Sequence, residues 1–310
     1  MSNKAKSQLQ ELKEMLEKST ELKDYDIDEN YYLSDYSYNV YPDARTFIDM
    51  DGKFYKMFMS GDGHELVGKD DKPCHARAIY SSSMLSYNFF HWIDDGHPLK
   101  LNDICYDKVY FEVKMKVLTG SRKPANMDVV LISKDCKSML CIESKFTEHM
   151  EALFADSYGD SGCYYSHNEY AENFIELQDI YNNYYDGIKQ NICHLIALSN
   201  LKHDENALQW FKKNNPYIEQ EVLDKISKDT TIKFINLLYL FDYKNNPTDK
   251  YGNSYPDLLE DFKSKLPDKL RMELLKDDRI FNSYYELFDN IKGQMPEGLS
   301  KYLGSRYFEK

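Results

Sequence analysis

Asp128 stands near the head of one short apolar run, Asn126–Ile132, and Glu143 and Lys145 stand at the end of the next, Leu140–Phe146. Both runs are apolar and rich in β-branched residues, and the polar link Ser133–Ser138 between them reads as a hairpin connection. Residues two apart on a strand point to one side, so Glu143 and Lys145 share a face while Ser144 points away. In the simplest hairpin register Asp128 lies beside Glu143. Two carboxylates and an amine then converge, which is a donor set for a divalent cation with a built-in positive charge. Magnesium prefers hard oxygen donors and commonly takes only one or two protein carboxylates. A metal on Asp128 and Glu143 would polarise a phosphoryl oxygen and lower the pKa of a bound water. Lys145 would hold that water or stabilise charge developing on the phosphate.

An acid two residues before a lysine is common in this chain. It recurs at Glu21–Lys23, Asp70–Lys72, Glu112–Lys114 and Asp261–Lys263, among others. Context separates Glu143–Lys145, because it ends an apolar strand and has an acid at the start of the strand before it. The bland alternative is an exposed strand edge carrying a surface ion pair of little energetic value.

Two residues further along add to the set. Gln190 and His194 are four apart and so share a helical face. Gln190 could orient a water or a metal ligand, and His194 could contact phosphate or assist proton transfer. Taken alone, His194 reads as a satisfied histidine on a helix flank. Glu112 faces away from Phe111 and Val113 on a predicted strand, so it either approaches the same cleft or faces water. Arg77 and Ser81–Ser83 have phosphate-binding chemistry, but they read as caps or solvated positions and stay outside the catalytic set.

The elements that must position these groups are legible from periodicity. Ala76–Ile93 reads as an amphipathic helix and Val109–Leu118 as an alternating strand, with the two motif strands following. A helical region covers about Glu169–Ser199, and the nearly continuous apolar run Ile232–Phe241 suits a strand buried on both faces. The order is helix, three strands, helix, strand, which predicts an α/β domain with a mixed central sheet flanked by helices.

With Asp128, Glu143-Ser144-Lys145 and that element order, the chain resembles the PD-(D/E)XK nuclease superfamily, the restriction-endonuclease-like fold. The Pro-Asp pair is loosened here: Pro124 precedes Asp128 by four positions, with Asn126-Met127 before the aspartate. The resemblance covers Arg77 to Phe241 and implies an αβββαβ core. It implies magnesium, with manganese able to substitute, on Asp128 and Glu143, and Lys145 acting on water. It also implies a supporting Gln190, with His194 where relatives place a tyrosine or basic residue. Many members draw a further acid from the first helix; Ala76–Ile93 contains none, and Glu112 is the substitute. Glu148 in Lys145-Phe146-Thr147-Glu148 resembles a Lys-Phe-x-Glu pattern of some bacterial members. The ending Tyr302–Phe308 is similar to that of some bacterial members of unassigned biology.

Composition sets outer limits. The chain has 310 residues and a formal net charge of −13, which argues against a general nucleic-acid-coating protein. A nuclease needs only a local basic groove, for which Lys114, Lys116, Arg122, Lys123, Lys212 and Lys213 are candidates. The 27 tyrosines fit either a surface that contacts macromolecules or an AT-rich coding genome. Six cysteines are scattered without zinc spacing and read as reduced thiols. No apolar run spans a bilayer and the start lacks a secretory signal, so a cytoplasmic protein without a membrane partner is expected.

The expected organisation is an N-terminal elaboration (1–75) with a helix near Ala5–Leu22 and a small hairpin around Asp51-Gly52, a nuclease core (76–242), and a C-terminal helical extension (243–310). The expected function is metal-dependent hydrolysis of phosphodiesters, in DNA rather than RNA, in restriction, phage defence or repair. A homodimer would suit concerted cutting of palindromes. The alternatives are a non-catalytic interaction protein on the same fold and a phosphoesterase for small nucleotides, the latter favoured by an enclosed pocket.

Overall fold

The computed structural model describes residues 3–18, 26–50, 52–61, 65–69, 71–117, 124–146, 186–239 and 252–308. The expectations for Glu148, for Arg122 and Lys123, and for the helical region before residue 186 lie outside them.

Among the described residues, six strands form one mixed sheet in sequence order. They are β1 (Leu99–Leu101), β2 (Ile104–Met115), β3 (Ala125–Ser133), β4 (Ser138–Lys145), β5 (Thr231–Leu238) and β6 (Phe281–Ser283). Strands β1 to β4 run antiparallel, whereas β5 pairs parallel to β4 and β6 parallel to β5. The helices are α1 (Asn3–Lys18), α2 (Arg45–Ile48), α3 (Lys53–Ser60), α4 (Ser82–Phe90), α5 (Asp186–His203), α6 (Glu205–Asn214), α7 (Gln220–Lys225), α8 (Tyr255–Lys265), α9 (Asp268–Leu274), α10 (Tyr284–Ile291) and α11 (Glu297–Leu303), followed by a π-helical turn at Gly304–Phe308. The chain is therefore α/β, and the middle of its described residues runs α4, β1, β2, β3, β4, α5 and, after α6 and α7, β5. No helix among the described residues is long and apolar enough to cross a membrane.

The β3–β4 turn shows how the motif strands are set in register. Ser133 donates its hydroxyl to Asp135 Oδ1 at 2.7 Å, and the same oxygen accepts the Lys137 amide at 3.0 Å. Cys136 takes the left-handed conformation, φ 57°, which this side-chain scaffold over-determines. From there Ile132 pairs with Met139 and Val129 with Ile142. Strand β4 is interior and buried on both faces. Burial of each aliphatic side chain in it contributes roughly 1.5–3 kcal/mol.

Two local expectations are corrected. The run Ala76–Ile93 is not one helix: Ser81 Oγ accepts the Met84 amide at 3.2 Å and caps a helix that starts at Ser82. His75–Arg77 is a separate 3₁₀ turn, and Ile79 donates its amide to Tyr31. Around Gly52 there is a helix start in place of a hairpin, because Phe54, Met57 and Phe58 fall at helical spacing and bury one face against Phe111 and Tyr87. The tyrosine excess serves the core in part, since Tyr87, Tyr110, Tyr239, Tyr255, Tyr284 and Tyr302 are buried.

The N- and C-terminal segments join the same core as the middle: Leu9 and Leu12 of α1, Ile142 of β4 and Leu299 of α11 belong to one buried cluster. The C-terminal segment also supplies strand β6.

Where β2 outruns β1 its edge would be open, and side chains close it. Asn215, fully buried after α6, accepts the Lys114 amide and donates to the Lys114 carbonyl, both at 2.9 Å. Tyr217 donates its hydroxyl to the Glu112 carbonyl at 2.8 Å. Unpaired strand edges invite association; here an asparagine mimics the missing strand.

Candidate active site

The strand ladders bring the predicted acids into a row. Phe111 pairs with Val129 and Val113 with Met127, which sets Glu112 across from Asp128. Val129 pairs with Ile142, so the next step sets Asp128 across from Glu143. Glu143 in turn stands beside Asn236 of β5. The β3–β4 pairing stops at Val129–Ile142, while β4 stays paired to β5 as far as Lys145. The strands part at Asp128 and Glu143, and the site lies at that parting.

Side chains fill the gap. Asp128 Oδ2 accepts the Ser144 amide at 2.6 Å, replacing the backbone partner lost where the ladder ends. Lys145 Nζ donates to Glu143 Oε1 at 2.5 Å and to Gln190 Oε1 at 2.8 Å. His194 Nε2 stands 2.9 Å from Glu143 Oε2, at ion-pair distance but without the angle of a hydrogen bond. Glu143 is 0 % exposed and His194 1 %. The structure thus brings Asp128, Glu143, Lys145, Gln190 and His194 together from β3, β4 and α5. Glu143 is not at a sheet edge, and its pairing with Lys145 is a buried one. His194 is not the satisfied helix-flank histidine that its isolated sequence context suggests, since neither ring nitrogen finds a hydrogen-bond partner among the described residues.

Electrostatics divide the two carboxylates. Burial raises the Asp128 carboxyl well above the ordinary range, and the neighbouring charges of Glu143 and Glu112 add to it; Lys145 and the Ser144 amide oppose this without cancelling it. Burial also pushes Glu143 up, but Lys145 and His194 outweigh it and hold the group at about 2. One acid is ionised throughout the working range and its neighbour is reluctant to ionise. Such a split is common at functional sites.

Asp128 and Glu143 are the residues here that would hold a hard divalent cation. Glu143 Oε2 is buried without a hydrogen bond, and the crowding of negative charge at Asp128 is what a cation would relieve. No three His, Cys, Asp or Glu side chains among the described residues form a metal-holding group. The chain would therefore offer two carboxylates and leave the remaining positions to water or phosphate, as magnesium tolerates.

Glu112 keeps a less direct place. It is 6 % exposed with φ 51°. A Cβ built on Gly61 would fall 2.5 Å from its Oε2, so its carboxyl reaches toward the end of α3 while still acting on Asp128 through space. Arg77 is committed elsewhere, donating Nε to the Leu33 carbonyl at 2.6 Å. Of the basic candidates, Lys114 on β2 and Lys212 and Lys213 in the last turn of α6 belong to elements joined by Asn215.

Three residues were missed by sequence reasoning. Ser144, which points away from the acids, ties the motif strand down: its amide holds Asp128, its hydroxyl donates to the Ser82 carbonyl at 3.2 Å, and it lies 2.7 Å from the Tyr284 hydroxyl. Asn191 and Asn236, both fully buried, dock α5 on the sheet through Asn236 Nδ2, which donates to Asn191 Oδ1 at 2.7 Å and to the Ile280 carbonyl at 2.8 Å. The signal for Asn236 was present, since a lone amide inside the apolar run Ile232–Phe241 demands a partner. No known protein family, curated protein sequence or solved structure matches this chain significantly.

Proposed function

We propose that the chain is a metal-dependent nuclease of the PD-(D/E)XK type with a restriction-endonuclease-like core, hydrolysing phosphodiester bonds in DNA. The observation that carries this reading is the meeting of Asp128, Glu143, Lys145 and Gln190 where β3 leaves β4. The strand pattern is consistent with it, since an antiparallel β2–β3–β4 meander is followed by a helix and a parallel β5.

Asp128 and Glu143 would hold magnesium or manganese, which when bound supplies Lewis acidity to a phosphoryl oxygen and acidifies water. The chain's own groups do the rest. Gln190 and Glu143 fix the Lys145 ammonium, so that it orients water or meets negative charge on the phosphate without reorganising. Ser144 keeps the Asp128 carboxylate turned toward Glu143. His194 stands close enough to Glu143 to hold its charge in place. Lys114, Lys212 and Lys213 offer a basic flank to the backbone of a nucleic acid, which an acidic chain needs locally. Restriction, phage defence and repair all use such chemistry.

The test is cleavage of linear, supercoiled and single-stranded DNA and of RNA in magnesium or manganese, with Lys145→Ala alongside. Cleavage by the parent and a loss of at least about 10²-fold in the variant is expected. A folded parent inert on every substrate, or a variant as active as the parent, would overturn the reading.

A further inference from the structure

The row of polar side chains across the sheet does not stop at Glu143. Asn236 of β5 is its direct neighbour in the parallel ladder and is fully buried. Asn236 Nδ2 donates to Asn191 Oδ1 and to the Ile280 carbonyl, and a carbonyl can only accept, so the orientation of this amide is fixed. Ile280 lies on the β6 side, where it also accepts the Asn236 backbone amide at 2.9 Å. The other limb of the side chain, Oδ1, is therefore turned from β6 toward β4. It is buried and has no hydrogen-bond partner among the described residues.

Glu143 and His194 bring further buried atoms of the same kind to the same face. Lys145 engages Glu143 Oε1 at 2.5 Å, but Oε2 is without a hydrogen bond, as are both ring nitrogens of His194. The His194 ring packs on Phe234, two residues before Asn236, with centroids 5.8 Å apart. Its Nε2 comes to 2.9 Å from Glu143 Oε2, outside hydrogen-bond geometry. A nitrogen and an oxygen held that close suit one edge of a coordination shell. For bonds of about 2.1 Å, an octahedral edge is about 3.0 Å and a tetrahedral one about 3.4 Å. Buried polar atoms without protein partners call for a bound water or ion. A water spaces its neighbours further apart, whereas an ion draws two donors to this separation.

We infer that Glu143 Oε2, His194 Nε2 and Asn236 Oδ1 form an interior site for a first-row divalent metal ion, manganese(II) before magnesium. A carboxylate, an imidazole and an amide oxygen make a mixed nitrogen–oxygen set. The imidazole favours manganese over magnesium, which prefers oxygen donors alone. The octahedral spacing argues against zinc, whose protein sites are mostly tetrahedral. The ion joins β4, β5 and α5 on the inner side of Glu143 and does not need Asp128. It shares Glu143 with the proposed nuclease centre, but its binding does not rest on nuclease activity.

The test is manganese binding by the full chain carrying Asp128→Asn, which removes the outer carboxylate pair, followed by electron paramagnetic resonance. One ion per chain is expected, bound at least about tenfold more tightly than magnesium in competition. Spin-echo modulation of the bound ion should show a coordinated nitrogen, and its frequencies should change when the protein is made with heavy-nitrogen histidine. Adding His194→Gln should abolish that coupling and weaken manganese by at least about tenfold. Adding Asn236→Ala should weaken it comparably and keep the nitrogen coupling. The isotope comparison needs neither further substitution, so it decides the point even where those variants do not fold. The inference is overturned if Asp128→Asn binds no manganese at millimolar concentration, or if the bound ion shows no histidine nitrogen. Manganese held by the parent and lost with Asp128→Asn would also overturn it, while leaving the nuclease reading intact. The expected spectrum in a parent that cleaves no substrate would uphold this site and sink the nuclease reading alone.

Discussion

Ser144 donates its backbone amide to Asp128 Oδ2 at 2.6 Å, so the residue between Glu143 and Lys145 fixes the carboxylate that faces them. This bond forms where the β3–β4 ladder has just ended, and it holds an acid whose pKa is raised by burial first and then by the charges of Glu143 and Glu112. The site is built at a cost to stability, and the cost is carried by Asp128.

Replacing Asp128 by asparagine should therefore stabilise the metal-free protein. The asparagine oxygen can still accept the Ser144 amide, while the like-charge repulsion disappears. An acid whose folded pKa is raised favours the fold at low pH and loses that contribution as pH rises through the folded value. The gain in Tm should thus be largest near pH 8, at least about 2 °C if the relief is about 1 kcal/mol, and should shrink toward pH 4. Magnesium should raise the Tm of the parent and leave the variant unchanged, and cleavage should fall by about 10³-fold. A variant less stable than the parent in EDTA at pH 8 would contradict the charge-crowding account.

Glu143 behaves in the opposite sense. Lys145 and His194 hold its pKa at about 2 against an ordinary 4.5, so its contribution is present above pH 4.5 and is lost as pH falls toward 2. Glu143→Gln should cost on the order of 3 kcal/mol at pH 7, and the difference from the parent should close under acid. Denaturant melts between pH 7 and pH 3 measure this. Because Lys145 is the main partner, Glu143→Gln and Lys145→Ala together should cost less than the sum of the two.

The core of the site was legible because strand alternation is a strong constraint: two apolar runs with a polar link leave few registers, and the acids fall on one face in the simplest of them. Gln190 and His194 were legible for the same reason on a helix. What periodicity could not supply was the wiring between elements. The Ser144 amide is invisible in any side-chain pattern, and the partner of Asn236 lies 45 residues away on α5. Local rules failed at Ala76–Ile93, where the Ser81 cap decided the helix start, and around Gly52, where glycine opens a helix in place of a turn. The short strands β1 and β6, three residues each, carry too little pattern to be read.

Gln190→Ala tests whether the helix residue acts through Lys145. It removes an acceptor 2.8 Å from Nζ at a half-buried position and should leave the melting curve nearly unchanged. Turnover should drop by about 10–100-fold, the range for residues that orient a catalytic group, with KM for DNA little altered. Gln190→Glu keeps an acceptor at the same reach and should recover part of the loss. A rise in KM with kcat intact would instead assign Gln190 to substrate binding.

Asn215 provides a test of the fold independent of chemistry. Its side chain satisfies both backbone groups of Lys114 and also donates to the Phe211 carbonyl at 2.9 Å, while the Tyr217 hydroxyl, which lies 2.8 Å from the Glu112 carbonyl, also lies 2.9 Å from Asn215 Oδ1. Alanine at 215 leaves the Lys114 amide and carbonyl without partners beside a buried methyl group. At about 1–3 kcal/mol for each buried group left unpaired, a loss of roughly 2–4 kcal/mol is expected. The opened β2 edge should also promote self-association, so light scattering on heating should begin at a lower temperature than in the parent. Asn215→Leu, which fills the space without the amide, should do no better than alanine, because the stabilisation comes from strand mimicry. A leucine variant as stable as the parent would show that packing, and not the two hydrogen bonds to Lys114, holds α6 against the sheet.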